Sequence, residues 1–231
     1  MAQITLVGST GLVGAAALSA LLSSPTKLAL TTLTRRAVPT PAPANTSTTL
    51  TALVQPSLAD AVGAPEPLAH NGSVYITALG TTRAAAGSLE GQEKIDYVLN
   101  RDLAARAHAD GAETIILVSS GRADSASYSG YLRIKGLLED AVLEMGFKRT
   151  VILRPGVLLG RPDARFAENA LGYAIRTLRW AGLPVVRYGI DASDVGAAVA
   201  QLALEPGEGV HYVYGEEMVA LAAKYRAGLG E

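Results

Sequence analysis

The stretch LVGSTGLVGAAA, residues 6–17, constrains the fold more than any other part of the sequence. It sets Gly8, Gly11 and Gly14 between a β-rich run, ITLVG, and an alanine-rich run over residues 12–22 with helical apolar spacing. Strand, tight turn and helix in that order open an α/β unit. Glycine lets main-chain N–H groups approach a pyrophosphate closely, and the helix N-terminus adds partial positive charge. The same glycines also suit a tight turn with close helix–sheet packing, so the spacing alone leaves both readings open.

The rest of the chain repeats the alternation. KLALTTLTRR reads as the second strand, STTLTALV as the third, SVYITAL as the fourth, TIILVSS as the fifth and TVILRPGVLLG as the sixth. Helical patterns over residues 91–109 and 127–145 separate the later strands. This predicts an α/β fold, a Rossmann-like doubly wound parallel sheet with ligands at the carboxyl ends of its strands. A length of 231 residues suits one domain. AVPTPAPANTS, between the second and third strands, reads as a surface loop. After Gly160 the alternation gives way to a mixed pattern, so a small C-terminal substrate lobe over approximately residues 155–231 is expected. DASDVGAAVAQLAL reads as a capped helix in that lobe, with Asp191 rather than Asp194 at its cap.

Composition narrows the function. Charged residues are 18% of the chain and the net charge is −1, so no basic field is present to hold nucleic acid. There is no cysteine, which removes disulfides, thiolate metal sites and a cysteine nucleophile together. His70, His108 and His211 form no spaced ligand pair, and no metal is expected. The longest apolar run, residues 13–22, is well short of the roughly 20 residues a transmembrane helix needs. No Arg-rich presequence precedes Ile4, and a soluble, cytoplasmic protein is the default expectation.

Two further features bear on chemistry. Arg35 and Arg36 end the second strand, where a dinucleotide fold meets the adenosine ribose; arginines there accommodate a 2′-phosphate, whereas a carboxylate favours the free hydroxyl. NADP(H) is therefore favoured over NAD(H). Tyr131 and Lys135 lie four residues apart on a predicted helix and share one face. A tyrosine ionises near pH 10, about three units too high for proton transfer at neutrality, and a neighbouring ammonium favours the phenolate. Ser119 and Ser120 close the preceding strand. Strand alternation points only one of them into the cleft, and Ser120 is preferred. Tyr128 lacks a lysine four residues on.

The glycine turn, the Tyr131/Lys135 pair and RPG after the sixth strand together resemble the short-chain dehydrogenase/reductase superfamily in its extended or atypical branch. More narrowly, LGTTRAAAGS, KIDYVLN, LVSSGRADS, YLRIKGLLEDAV and VILRPGVLLG are similar to a fungal family first catalogued among mitochondrial proteins, and to its animal relative, the Tat-interacting oxidoreductase. The resemblance runs from Ile4 to about Gly160. It implies a Rossmann-like fold binding NADPH. Gly8, Ser9, Thr10, Gly11, Leu12 and Val13 would line the pyrophosphate, and Arg35 and Arg36 would take the 2′-phosphate. Leu79, Gly80 and Thr81 would flank the adenine and ribose. Leu153, Pro155, Gly156 and Val157 would lie against the nicotinamide. Tyr131 and Lys135 would be the catalytic pair, touching the cofactor too, with Asn100 in the place of a proton-relay asparagine. The resemblance also implies peripheral association with the mitochondrial outer membrane, although no anchor is visible.

The function expected is an NADP(H)-dependent oxidoreductase acting on a small-molecule carbonyl or the matching alcohol. An isomerase or epimerase that oxidises and reduces its bound cofactor within one cycle, and a non-catalytic NADPH sensor or scaffold, stand as alternatives. Arg83 is a candidate for a phosphate or an acidic substrate group, while Arg154 reads as structural. Trp180 and Tyr188 sit in the expected lobe and are candidates for substrate contact. The 127–145 helix is a candidate homodimer surface, although its Leu137, Leu138 and Val142 equally suit a core.

Overall fold

The structure is a computed structural model that describes residues 1–37, 48–159 and 189–230. Seven strands form one wholly parallel sheet: β1 (Ala2–Val7), β2 (Leu28–Thr34), β3 (Thr49–Val54), β4 (Ser73–Thr77), β5 (Ala112–Val118), β6 (Arg149–Arg154) and β9 (Gly209–Tyr214). Their spatial order is β3-β2-β1-β4-β5-β6-β9. The chain leaves β1 in one direction, through β2 to β3, and returns to the other side of β1 with β4. That reversal opens a crevice outside the carboxyl ends of β1 and β4.

Both faces of the sheet are covered, and its central strands alternate between two cores. Ile4 and Leu6 of β1, Ile116 and Val118 of β5, and Val151 and Leu153 of β6 face one layer of helices. It contains α1 (Leu12–Ser23), α6 (Ala192–Leu204) and α7 (Gly215–Leu229). Val7, Ile115, Leu117 and Ile152 face the other core, built with α4 (Asn100–Ala109) and α5 (Gly130–Glu144). Burial on both faces explains why these strands read as nearly continuous apolar runs.

The helix expected over residues 91–109 is a composite. A short α2 (Arg83–Ala86) precedes α3 (Leu89–Glu93), which passes through one π segment, Lys94–Leu99, into α4. The 127–145 pattern becomes α5, whose Leu138 and Val142 are buried in the chain's own core and are therefore spent on folding rather than on a dimer face.

Three features differ from the sequence reading. TVILRPGVLLG is not one strand: Pro155 has no N–H for a ladder, and the run divides into β6 and a separate β7 (Val157–Leu159) paired in parallel with β8 (Gly189–Asp191). The strand β9 and the helix α7 were both hidden inside the expected lobe, and β9 joins the main sheet beside β6. Asp191 stands at the N-cap of α6, but its side chain makes no capping hydrogen bond there. Most of the loop read over residues 37–48, together with Trp180 and Tyr188, lies outside the described residues.

Candidate active site

The glycine turn is shaped by close approaches of main chain. Gly8 has φ +85°, and a Cβ there would lie 2.6 Å from the carbonyl carbon of Ala78 at the end of β4. A Cβ on Gly14 would stand 2.0 Å from the Gly8 carbonyl oxygen, which already accepts the Gly11 N–H at 2.9 Å. Both positions therefore exclude a side chain. Gly11 is the N-cap of α1; no side chain caps that helix and its first turn carries no acid. The orphan N–H groups and positive end of α1 meet no competing carboxylate from their own turn. Thr10 and Gly11 are exposed and Leu12 is half-buried, whereas Ser9 and Val13 are buried, so their side chains are packed rather than offered. Arg35 and Arg36 follow β2 and are exposed at the same edge of the sheet.

Beside this turn, the loop after β4 is held by the helical run behind it. Asn100 is buried and uses both ends of its amide: Oδ1 accepts from the Thr77 hydroxyl at 2.7 Å and Nδ2 donates to the Leu79 carbonyl at 3.2 Å. The asparagine expected in a proton relay is thus engaged in fixing the strand end. Gln92 donates to the Thr81 carbonyl at 3.0 Å, and the Thr81 N–H donates to Asp96 Oδ1 at 2.6 Å. Leu79 and Thr81 are half-buried and Gly80 is exposed above them.

Lys135 of α5 faces this loop. Lys135 is 5% exposed, with Nζ 3.6 Å from Asp96 Oδ2, while Tyr131, one turn earlier, is 41% exposed. The tyrosine is open to a ligand and the lysine lies behind it. Tyr128 is fully exposed. Gly136 lets α5 approach the preceding loop, since a Cβ there would be 2.1 Å from the Ser125 nitrogen. Asp96 is 1% exposed, and burial raises its carboxyl above the usual range despite the opposing charge of Lys135 and hydrogen bonds from Thr81 and Gln92.

The two serines part company. The Ser119 hydroxyl is buried and donates to Glu139 of α5, whose carboxylate also receives the Arg154 guanidinium. Arg154 stacks over the Tyr212 ring at 4.7 Å, and its charge is reinforced by Glu139, which holds its pKa above the ordinary arginine value. Ser119 and Arg154 therefore brace the wall of the site, and Ser120 remains half-buried at its edge. Leu153 is wholly buried in the core, so its side chain offers no surface to a nicotinamide. Pro155 is buried, Gly156 half-buried and Val157 exposed, and the Pro155 carbonyl accepts the Gly121 N–H at 2.8 Å. Arg83 is exposed in α2. Sequence reasoning missed Asp96, Gln92 and Glu139. The first had a visible signal: a lone carboxylate between apolar residues in KIDYVL. Among the described residues no cluster of His, Asp and Glu could hold a metal.

The family profile described as HIM1 matches residues 62–178. The protein fmp52, mitochondrial, of Emericella nidulans is 37% identical over 232 residues, covering 95% of this chain and 98% of that relative. The chain belongs to the Fmp52 family. A second Fmp52, from Candida albicans, is 38% identical over 224 residues and covers 94% of this chain and 96% of its own length. Both relatives carry "mitochondrial" in their names. Among solved structures, WbmF of Bordetella bronchiseptica in complex with NAD+ superposes on this Fmp52 chain with a TM-score of 0.64 at 14% identity, covering 99% of this chain and 78% of WbmF. MoeE5 in complex with UDP-glucose and NAD gives a TM-score of 0.64 at 18% identity, covering 97% and 82%. These likenesses show the Rossmann-like fold. Among the described residues, no helix of this Fmp52 chain is long and apolar enough to cross a membrane.

Proposed function

We propose that this Fmp52 homologue is an NADP(H)-dependent oxidoreductase that reduces a carbonyl, or oxidises the matching alcohol, of a small molecule. The carrying observation is the meeting, at one edge of the sheet, of an uncapped glycine turn and an exposed tyrosine with a buried lysine one turn behind it. The cradle suits a dinucleotide: Gly8 and Gly14 bring main chain to main chain, no acid sits in the first turn of α1, and two exposed arginines stand where a 2′-phosphate would lie. Bound there, the nicotinamide would supply or accept a hydride.

The chain's own residues do the rest. In the reducing direction the Tyr131 hydroxyl gives its proton to the carbonyl oxygen, and Ser120 holds that oxygen by a hydrogen bond. Lys135 binds ribose hydroxyls with its ammonium. Thr10 and Gly11 receive the pyrophosphate with the main chain of their neighbours, and Leu79, Gly80 and Thr81 border the ribose. The substrate side is assigned to the chain beyond Pro155, within a single domain spanning residues 1–231. By family likeness, we place the protein at the mitochondrial outer membrane, bound peripherally.

A second reading, cofactor-retaining epimerisation, is favoured by one neighbour: a UDP-N-acetylglucosamine 4-epimerase from Methanobrevibacter ruminantium superposes with a TM-score of 0.62 at 12% identity. Turnover without net change in nicotinamide absorbance would select it. The decisive test begins with titration of NADPH and NADH into the wild type and the Arg35→Ala/Arg36→Ala variant. NADPH binding that is selectively weakened in the variant is expected, and equal loss of both nucleotides would remove the 2′-phosphate assignment. Tyr131→Phe should then abolish carbonyl reduction with NADPH affinity nearly unchanged. Native turnover in that variant would exclude Tyr131 as the proton donor.

A further inference from the structure

The ion pair between α5 and the π segment is unusual in its burial and in its incompleteness. Lys135 and Asp96 are both charged groups almost entirely withdrawn from water. An ammonium in that setting is costly without an opposite charge nearby. Among the described residues, Asp96 is the carboxylate within ion-pair distance of Lys135.

The two oxygens of Asp96 have different duties. Oδ1 accepts the Thr81 N–H and so fastens the carboxylate to the loop after β4. Oδ2 is buried without a hydrogen-bond partner, and Lys135 Nζ stands 3.6 Å from it, beyond a hydrogen bond. That separation restrains the ammonium by charge while leaving its hydrogens for another acceptor. Both groups lie under Gly80, where a Cβ would be 3.5 Å from Nζ and 3.6 Å from Oδ2. The glycine leaves the pair free of a side chain at that position. Asp96 itself sits within the π segment, a kind of helical irregularity frequent at functional sites.

We propose that Asp96 is the positioning residue for Lys135, its carboxylate serving as the counter-charge that holds the ammonium against the cleft and thereby sets the strength of the grip on the dinucleotide. The inference rests on the assignment of Lys135 to the ribose hydroxyls made above.

Stability alone does not separate this role from a structural one. Desolvation lifts the Asp96 carboxyl above its ordinary value, more than Lys135, Thr81 and Gln92 lower it. A carboxyl raised in this way contributes stability while it is protonated, at acid pH, and that contribution is lost as pH climbs through the raised value. Removing its charge, however, also leaves the buried Lys135 ammonium without a counter-charge, which costs stability. Nucleotide affinity, read through the double variant, is the property that separates the two roles.

The experiment titrates NADPH at neutral pH into the full chain as wild type, Asp96→Asn, Lys135→Met and the double variant, with melting temperatures taken in parallel. Asparagine keeps an oxygen for the Thr81 N–H and removes only the charge. Asp96→Asn should weaken NADPH binding by about tenfold, the scale of one charge-assisted hydrogen bond, and should add nothing to the loss in Lys135→Met. The double variant should regain part of any melting temperature that Asp96→Asn loses, because the ammonium left unpaired is gone. Unchanged affinity in Asp96→Asn, beside a weakened Lys135→Met, overturns this inference alone. So do strictly additive losses of affinity in the double variant, which mark Asp96 as acting apart from Lys135. A wild type that binds neither NADPH nor NADH overturns the dinucleotide reading and this inference with it.

Discussion

The two helical layers that sandwich the sheet are made on different terms. α1 contains no charged residue, and α6 contains one, Asp194, which meets Arg226 of α7 at 2.7 Å. These helices approach closely through small side chains: a Cβ on Gly196 of α6 would lie 2.5 Å from the main-chain carbon of Ala16 in α1. The opposite layer buries Gln92, Asp96, Asn100, Lys135 and Glu139 along α3, the π segment, α4 and α5. The first layer holds the fold by volume and close packing. The second accepts buried polar groups that hydrogen-bond to main chain and to one another, and it lies under the candidate site. Buried polar groups thus gather on one face of the sheet, while the uncapped turn of α1 reaches the same edge from the other.

That division is breakable by substitution. Gly196→Val should be the most damaging, by about 3 kcal/mol or more in urea unfolding, because its new atoms meet main chain that cannot rotate away. A change within experimental error would show that α1 and α6 can part, and that close packing is not what holds this layer. Glu139→Gln comes next. It strips the charge from a buried carboxylate and leaves the Arg154 guanidinium, itself 22% exposed, with a neutral acceptor, the Tyr212 ring and water. Removing one partner of a buried pair costs several kcal/mol, and partial exposure reduces this to about 2 kcal/mol here. Turnover should fall as well, since the one amide oxygen left is shared between the Ser119 hydroxyl and Arg154, and the brace next to Ser120 loosens. A loss of stability without any loss of turnover would detach this brace from the site. Lys94→Ala sharpens the contrast from the solvent side of the same helical run. Its ion pair with Glu90 joins two well-exposed side chains, and no resolvable change in melting temperature is expected.

Much of this architecture is legible in the chain because periodicity and punctuation agree. ITLVG followed by three glycines and an alanine-rich helix could hardly form anything but β1, a tight turn and α1. The spacing of Tyr131 and Lys135 placed both on one face of α5, although it could not reveal that one is open and the other buried. β9 was illegible because its partner, β6, is reached by a long crossover, and the pairing of Arg149 with Gly209 through Arg154 with Tyr214 leaves no local trace. Asn100 carried a role by analogy that its hydrogen bonds assign elsewhere, to Thr77 and Leu79. Asp96 was readable as an anomaly, a carboxylate among apolar helix residues, but its partner on another helix was not.

The contact of Gly8 with the main chain of Ala78 has a mechanical consequence. Two backbones that touch with no side chain between them leave no slack, so the turn that opens α1 and the strand end that carries Leu79, Gly80 and Thr81 form a single rigid jaw. A ligand seated on the turn therefore meets the far wall at a fixed height, and Asp96, fastened to that wall through Thr81, keeps its distance from the turn whatever the ligand. The spacing across this edge is therefore set by the fold in advance of anything bound there.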